Sequence, residues 1–499
     1  MNTQVQSRPT AEVEQTYFDV IVIGAGISGI NAAYHLQKSC PDKSFTLLET
    51  QESFGGTWHT HKYPGIRSDS DLYTFGYKWK PWSGPPIATA DEILKYLNEC
   101  LDEQDIRRHI RYQHKVTQAD WDSDRNLWTL SVEKSDGSTE IYTCNFLWMC
   151  QGYYRHSAGY IPDYPGKERF KGPLIHPQTW PEDLDYEGKE VVVIGSGATA
   201  ATLIPAMAGK TKHITMLQRS PTYFAARPNS DELIDTLREF DIPDEWIHEI
   251  ARQKVLKEQE LTTRRSFEEP EKLREDLMTA ARKYLGDEIP LDPHFTPSYR
   301  PWRQRLAFVP DGDMFIAMRK GDASVVTDQI ECFDEDGIQL KSGTHLKADI
   351  IISATGFNMS ALGDIEITVD GNAYQFSESW AHRGIMFSGL PNLAWVFGYL
   401  RTSWTMRSEL VSEFVCRLLN HMEEKGARKV IPELRAEDKD MPELPFVDSE
   451  NFNAGYLMRH MHIMPKQGDR QPWVFSQDYY REKDEIPVAD LEDGTLIYK

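Results

Sequence analysis

The sequence is poor in the features of secreted, membrane-embedded or nucleic-acid-binding chains. No apolar run approaches the ~18 residues of a bilayer span; the longest are broken by glycine. Met1 to Thr16 is polar, without the charged-then-apolar layout of a leader. The six cysteines (Cys40, Cys100, Cys144, Cys150, Cys332, Cys416) are scattered, with no CxxC pair and no zinc-like cluster. That spacing argues against a disulfide framework or structural metal and fits free thiols in a reducing compartment. Positive charge is also short: 55 Lys and Arg stand against 77 Asp and Glu, a formal charge of -22. Such a surface repels phosphate backbones and anionic membranes, so nucleic acid is not expected as a partner. Any anionic ligand must be held by local features against the global field. The expectation is a cytoplasmic protein without a transmembrane segment. Its oligomeric state is not legible.

What is present is ample core material. With 499 residues, 40% of them hydrophobic and 13 tryptophans, the chain calls for two or three domains. Two segments, Phe18 to Leu36 and Glu190 to Met207, read as buried strand, glycine turn, helix; each opens on a β-branched run (DVIVIG, EVVVIG). The duplication predicts an α/β fold with two Rossmann-like dinucleotide-binding domains. Between them, residues 229–302 carry apolar positions at helical spacing amid dense charge, a helical insertion in which TRRSFEEPE reads as a solvated turn. The expected division is 17–155 with 358–499, 156–228 with 303–357, the insertion 229–302, and a flexible tail 1–16.

Gly24, Gly26 and Gly29 form GxGxxG directly after the first strand. The first glycine permits the tight turn, the second lets a diphosphate approach the backbone, and the third lets helix and strand pack closely. The helix N-terminus behind them favours anions. Glu49, 25 positions past Gly24 at the end of FTLLE, can accept bonds from ribose hydroxyls and would repel a 2′-phosphate, which favours FAD or NAD. The second turn is Gly195, Gly197 and Ala200, a GxGxxA. Here no acid ends the next strand; Arg219, 24 positions past Gly195, and Ser220 stand there instead. A cation beside a hydroxyl suits the 2′-phosphate of NADPH; the lesser alternative is that Arg219 is an ordinary surface cation. Two sites of opposite charge preference on one chain imply hydride transfer from NADPH to a flavin. A flavin disulfide reductase shares that layout but needs the cysteine pair missing here; a flavin-binding protein without turnover would not consume NADPH with oxygen.

Residues Phe170 to Pro181, FKGPLIHPQTWP, match FxGxxxHxxxWP through Phe170, Gly172, His176, Trp180 and Pro181, and GGTWHTHKYPGIRSD carries Gly56, Trp58, Tyr63, Pro64, Gly65 and Asp69. On these motifs the chain resembles the type I Baeyer–Villiger monooxygenases. The runs YPGIRSDSDLYTFGY, HFTPSYRPWRQRLAFVPDGDMF and GYLRTSW look most like the subgroup that activates thioamide prodrugs. The resemblance runs from about Phe18 into the last hundred residues. It implies FAD, NADPH and O2, a ketone or sulfide substrate, and conversion of ketones to esters or lactones through a C4a-peroxyflavin. The alternative is a flavin-containing S/N-monooxygenase without carbonyl oxygenation, whose fingerprint ends differently from Trp-Pro.

By the same resemblance Arg305 is the active-site arginine and Asp69 the aspartate that positions it. A cation favours an anionic peroxide and steadies the oxyanion of the adduct. Arg300 and Arg303 lie in the same basic stretch, and Asp71 in the SDSD run could be a simple helix cap. His176 is expected at a joint between domains rather than as a base, Trp180 as packing, and Gly356 in DIIISATGF with Cys150 to Tyr154 as hinge crossings. Many members carry lysine just before the arginine; here it is Gln304, which leaves NADPH selectivity resting on Arg219. His460 and His462 have no companion ligands at useful spacing, so no metal is expected.

Overall fold

The computed structural model describes residues 16–499. The expected tail therefore lies outside the described residues, except that its last member, Thr16, already belongs to the first strand. That strand, β1 (Thr16–Ile23), leads into helix α1 (Ile27–Ser39) and strand β2 (Phe45–Leu48). β1 lies parallel to β2 on one side and to a later strand on the other. Val20, Ile21 and Val22 have no exposed surface, which is why the run does not alternate: both faces of the strand are covered.

Four further strands extend this sheet: β3 (Ile110–Arg111), β4 (His114–Asp122), β5 (Leu127–Lys134) and β6 (Thr139–Met149). The last three form an antiparallel meander. The first half of β6 pairs with β5; its second half pairs in parallel with Leu393–Trp395, and Glu366–Val369 adds beside β4. Strands from the last third of the chain thus return to the first sheet, and the long helix Trp404–Lys425 packs on α1.

A second, five-stranded sheet is parallel throughout, in the order Ala323–Thr327, His213–Gln218, Glu190–Ile194, Ile350–Ser353, Leu174–Ile175. Each fully buried Val, Ile or Met on it contributes about 1.5–3 kcal/mol, and its two faces carry separate apolar cores.

Three helices fill the insertion: Glu232–Glu239, Asp244–Glu268 and Pro270–Leu285. The solvated turn expected at TRRSFEEPE is instead the last turns of the 25-residue middle helix; only Glu269 breaks the path before Pro270 starts the next one. Two i,i+4 ion pairs, Arg264 with Glu268 and Arg265 with Glu269, carry the helix through that polar stretch. The middle helix docks on the first sheet's body through Ile247, Ala251 and Val255 and through a nearly buried Arg252–Glu409 ion pair at 2.8 Å. No helix among the described residues is long and apolar enough to cross a membrane.

Candidate active site

The first glycine turn meets the crossing segment that follows β6. Gly24 has φ +99°, and a Cβ on it would stand 2.9 Å from the Cys150 carbonyl oxygen; on Gly29 it would stand 1.9 Å from the Gly24 carbonyl oxygen. Neither position tolerates a side chain. Gly26 caps α1 without any side-chain acceptor, so the first-turn N–H groups are left for an anion. The Gly55–Gly56 turn of the second motif lies against it: Gly55 N donates to Ala25 O at 3.0 Å, and a Cβ on Gly26 would lie 3.5 Å from the Gly56 Cα. Two backbone turns thus meet with no side chain between them, a cradle that fits a diphosphate. Glu49 is buried beside it and accepts from Ala25 N at 2.7 Å and Gln51 N at 2.8 Å. Burial raises its pKa while those two bonds pull it back. Each carboxylate oxygen keeps a lone pair for a hydroxyl donor. Trp58, in the short helix Thr57–Thr60, presents its ring to the edge of Phe75 at 5.7 Å.

The second turn repeats the device. Gly195 has φ +128°, and a Cβ would meet Ala354 O at 2.3 Å; Gly197 caps the helix Ala198–Met207 with open space beside it, and Ala200 is fully buried. Arg219 and Ser220 are exposed just past the strand His213–Gln218.

The residues from Tyr63 to Arg67 tie the two bodies together. A Cβ on Gly65 would collide with Ala206 Cβ at 2.5 Å, and Arg67 donates to Ala201 O and pairs with Asp313 at 2.5 Å. Motif matching alone missed Arg67. His176 performs a second fastening. Its Nδ1 accepts from Gln178 N at 3.1 Å, so its Nε2–H donates to Gly356 O at 2.9 Å, and its ring fills the place of a Gly159 side chain. Burial lowers its pKa, with the Gly356 bond opposing. It is a neutral pin between the two crossing segments. Gly356 needs its φ of +98° there. Elsewhere in the fingerprint, Phe170 packs near Phe333, a Cβ on Gly172 would strike Asp349 O at 2.2 Å, Trp180 sits edge-on to Tyr186, and Pro181 accepts from Leu184 N.

Arg305 and Asp69, 236 residues apart, meet where these segments converge. Nε donates to Oδ2 at 2.5 Å and Nη2 to Oδ1 at 2.6 Å, a two-pronged pair. Burial opposes the charge on Arg305, but Asp69 more than offsets it and its pKa is raised. Solvent still reaches 32% of the Arg305 side chain. The neighbouring candidates go elsewhere. Arg303 pairs with Glu450 at 3.1 Å, and Arg300 donates to main-chain carbonyls. Asp71 caps the helix Leu72–Phe75 through Tyr73 N and faces Arg227 at 3.4 Å; burial pushes its pKa up to about 6.

Three tyrosines surround the pair, and motif reading had not assigned them to it. Tyr153 and Tyr154 join hydroxyl to hydroxyl at 2.5 Å, and Tyr456 lies 6.3 and 6.2 Å from their rings. Burial raises all three pKa values while Arg305 opposes, so they stay protonated donors. Tyr153 stacks on Trp404, whose indole donates to Ser28 Oγ at 2.8 Å; Tyr154 lies on Phe357, which stacks on His61. The Tyr-Tyr doublet in the crossing segment was a usable signal. Tyr456 had none, because only the fold brings the segment around residue 456 here. His462 lies in the single helical turn Met461–Ile463 and His460 just before it, with His460 Nδ1 bonded to Tyr456 O.

The flavin-binding monooxygenase-like family model matches residues 18–233. The FAD-containing monooxygenase EthA of Mycobacterium tuberculosis is 46% identical over 484 residues, covering 97% of this chain and 98% of that protein. The probable FAD-binding monooxygenase AlmA of Acinetobacter baylyi is 43% identical over 486 residues, covering 97% and 96%. Among solved structures, oxidized steroid monooxygenase bound to NADP superposes with a TM-score of 0.73 at 21% identity, covering 97% of this chain and 99% of that one. OTEMO in complex with FAD and NADP gives 0.69 at 23% identity, covering 86% and 88%.

Proposed function

The chain belongs to the flavin-binding monooxygenase-like family, and from that premise we propose that it uses FAD and NADPH and is a Baeyer–Villiger monooxygenase, turning ketones into esters or lactones with O2 and also oxidising sulfides. The observation that carries the reading is the two-pronged Asp69–Arg305 pair ringed by three protonated phenols. Attack on a carbonyl needs an anionic oxygen nucleophile and then a place for the oxyanion of the adduct. A fixed guanidinium serves both. The six reduced cysteines, five of them buried, support a cytoplasmic location.

The backbone cradle at Gly24, Gly26 and Gly56 would hold the FAD diphosphate and Glu49 its ribose; Gly195, Gly197, Arg219 and Ser220 would hold NADPH. When bound, FAD with NADPH would supply the reducing power that activates O2. This chain's own residues do the rest. Asp69 engages Nε and Nη2 of Arg305 and so fixes the plane of the guanidinium, leaving Nη1 for an anionic oxygen of the reacting group. Tyr153, Tyr154 and Tyr456 donate hydrogen bonds without accepting protons. Trp404, Phe357 and His61 complete an aromatic wall behind the tyrosines. His176 pins the crossing segments about which the two bodies would hinge.

The test is product analysis. FAD-loaded protein is given NADPH, O2, a panel of linear, cyclic and aryl ketones, and a sulfide. Esters or lactones are expected by mass spectrometry. Sulfoxide alone, with every ketone returned, would overturn the carbonyl reading in favour of an S/N-monooxygenase.

A further inference from the structure

A chamber of about 220 Å³ opens beside Arg401, walled by Leu400, Phe446, Val447, Phe452 and Phe475. It is set apart from the nucleotide turns: Phe397 stands between Phe446 and Phe475 on one side and Tyr153 on the other. The five wall residues are almost wholly buried in the protein fabric, so the chamber has a preformed apolar wall, faced by the polar side chains of Arg401, Asp448, Asn451 and Gln477.

Its polar side chains are nearly all satisfied from within. Gln467 accepts from Phe475 N and donates to the Pro445 and Phe446 carbonyls; Gln477 accepts from Leu400 N and donates to Gly398 O. Asp448 accepts from Glu450 N and from the Asn451 amide, and Ser476 donates to Glu482. Arg401 is the exception. Its Nε is buried without a partner, and Nη2 reaches only the Asn451 carbonyl. Arg300 converges on that same carbonyl at 3.3 Å, and the two guanidiniums share the Phe267 ring at 5.3 and 3.9 Å. Among the described residues no carboxylate lies within ion-pair distance of either, although Asp448 is near enough to act on Arg401 through its charge. Burial, with Arg300 adding to it, lowers the Arg401 pKa to about 10.

Arg401 is half-buried, and a cation whose buried Nε donor has no partner is costly unless an anion answers it. We propose that this chamber is a binding site for a small apolar carboxylate, an aryl or short-chain alkyl acid. Its carboxylate would bridge Arg401 and Arg300 while its apolar body lies in the chamber along Leu400, Val447 and Phe452. The site goes beyond the monooxygenase reading and does not depend on it. Arg300 and Arg401 supply planar forks suited to a carboxylate, and the phenyl walls supply the burial that a bare inorganic anion could not use.

The test titrates FAD-loaded full-length protein with octanoate and benzoate by calorimetry, alongside octanamide, which has the same apolar body without charge. Stoichiometric binding of an acid, about tenfold or more tighter than the amide, is expected. Arg401→Met should weaken acid binding by at least that factor, with fold and FAD content checked by circular dichroism and flavin absorbance. Val447→Trp, which fills the chamber and leaves both arginines, should abolish acid binding; it guards against misfolding of the first variant. Equal binding of acid and amide, no effect of either substitution, or displacement of the acid by NADP would each overturn the proposal. So would the absence of any binding in the millimolar range.

Discussion

Replacing Arg305 by methionine removes the guanidinium while keeping much of the side-chain volume. Two unit charges about 4 Å apart at an effective dielectric of about 20 interact with about 4 kcal/mol. Solvent reaches a third of this side chain, so roughly half of that, about 2 kcal/mol, is a fair lower figure for what the cation contributes to a developing oxyanion. Loss of one preorganised donor in comparable sites costs about 2.7–4 kcal/mol. Ester formation by Arg305→Met should therefore fall about 30- to 1,000-fold, while NADPH oxidation continues and its electrons appear as hydrogen peroxide. Arg305→Lys keeps the charge but cannot make both bonds to Asp69, so it should fall between the two. The assay is ester formed per NADPH consumed, with peroxide measured in the same samples and FAD content confirmed beforehand. If Arg305→Met formed ester at the parental rate and yield, the reasoning from a fixed cation would be wrong.

Three other expectations follow from the geometry. Arg219→Ala should raise the NADPH KM by about 10-fold or more and leave the NADH KM nearly unchanged; equal effects in steady-state kinetics would remove Arg219 from the 2′-phosphate. Gly29→Ala sets a methyl 1.9 Å from the Gly24 carbonyl, so the purified variant should lose most of its FAD, read as flavin absorbance per protein. For Asp71, the folded chain holds the proton more tightly than the unfolded one, with a pKa of about 6 against 3.8. Its stabilising contribution is full below about pH 4 and is lost as pH rises to about 6, by at most about 3 kcal/mol. Asp71→Asn, which keeps the cap acceptor, should gain on the parent over that window and run parallel to it above pH 6 in urea unfolding; a constant gap at all pH values would refute the shift.

Both strand–glycine turn–helix units were legible in the linear chain because they are local. A strand, a glycine turn and a helix follow one another within about 20 residues, and the steric reason for each glycine lies within the motif or one strand away. The buried faces of β1 and Glu190–Ile194 were equally readable, since a strand covered on both sides must be apolar throughout. The polar stretch at 263–268 misled because its charges favour solvent, which a helix surface satisfies as well as a turn does.

The Asp69–Arg305 pair is different in kind. Asp69 and Asp71 are indistinguishable by spacing, as are Arg300, Arg303 and Arg305; resemblance ranked them, but only folding set one acid against one arginine and turned the others to a helix cap, Glu450 and main-chain carbonyls. Tyr456, Arg67, the tyrosine doublet's place beside Arg305 and the Arg401 chamber depend on contacts between segments some 50 to 300 residues apart. Local sequence carries turn chemistry and periodicity, which act over a few bonds. Which charges become neighbours, and which are left unanswered, is decided by the packing of distant segments, and only the tertiary structure contains it.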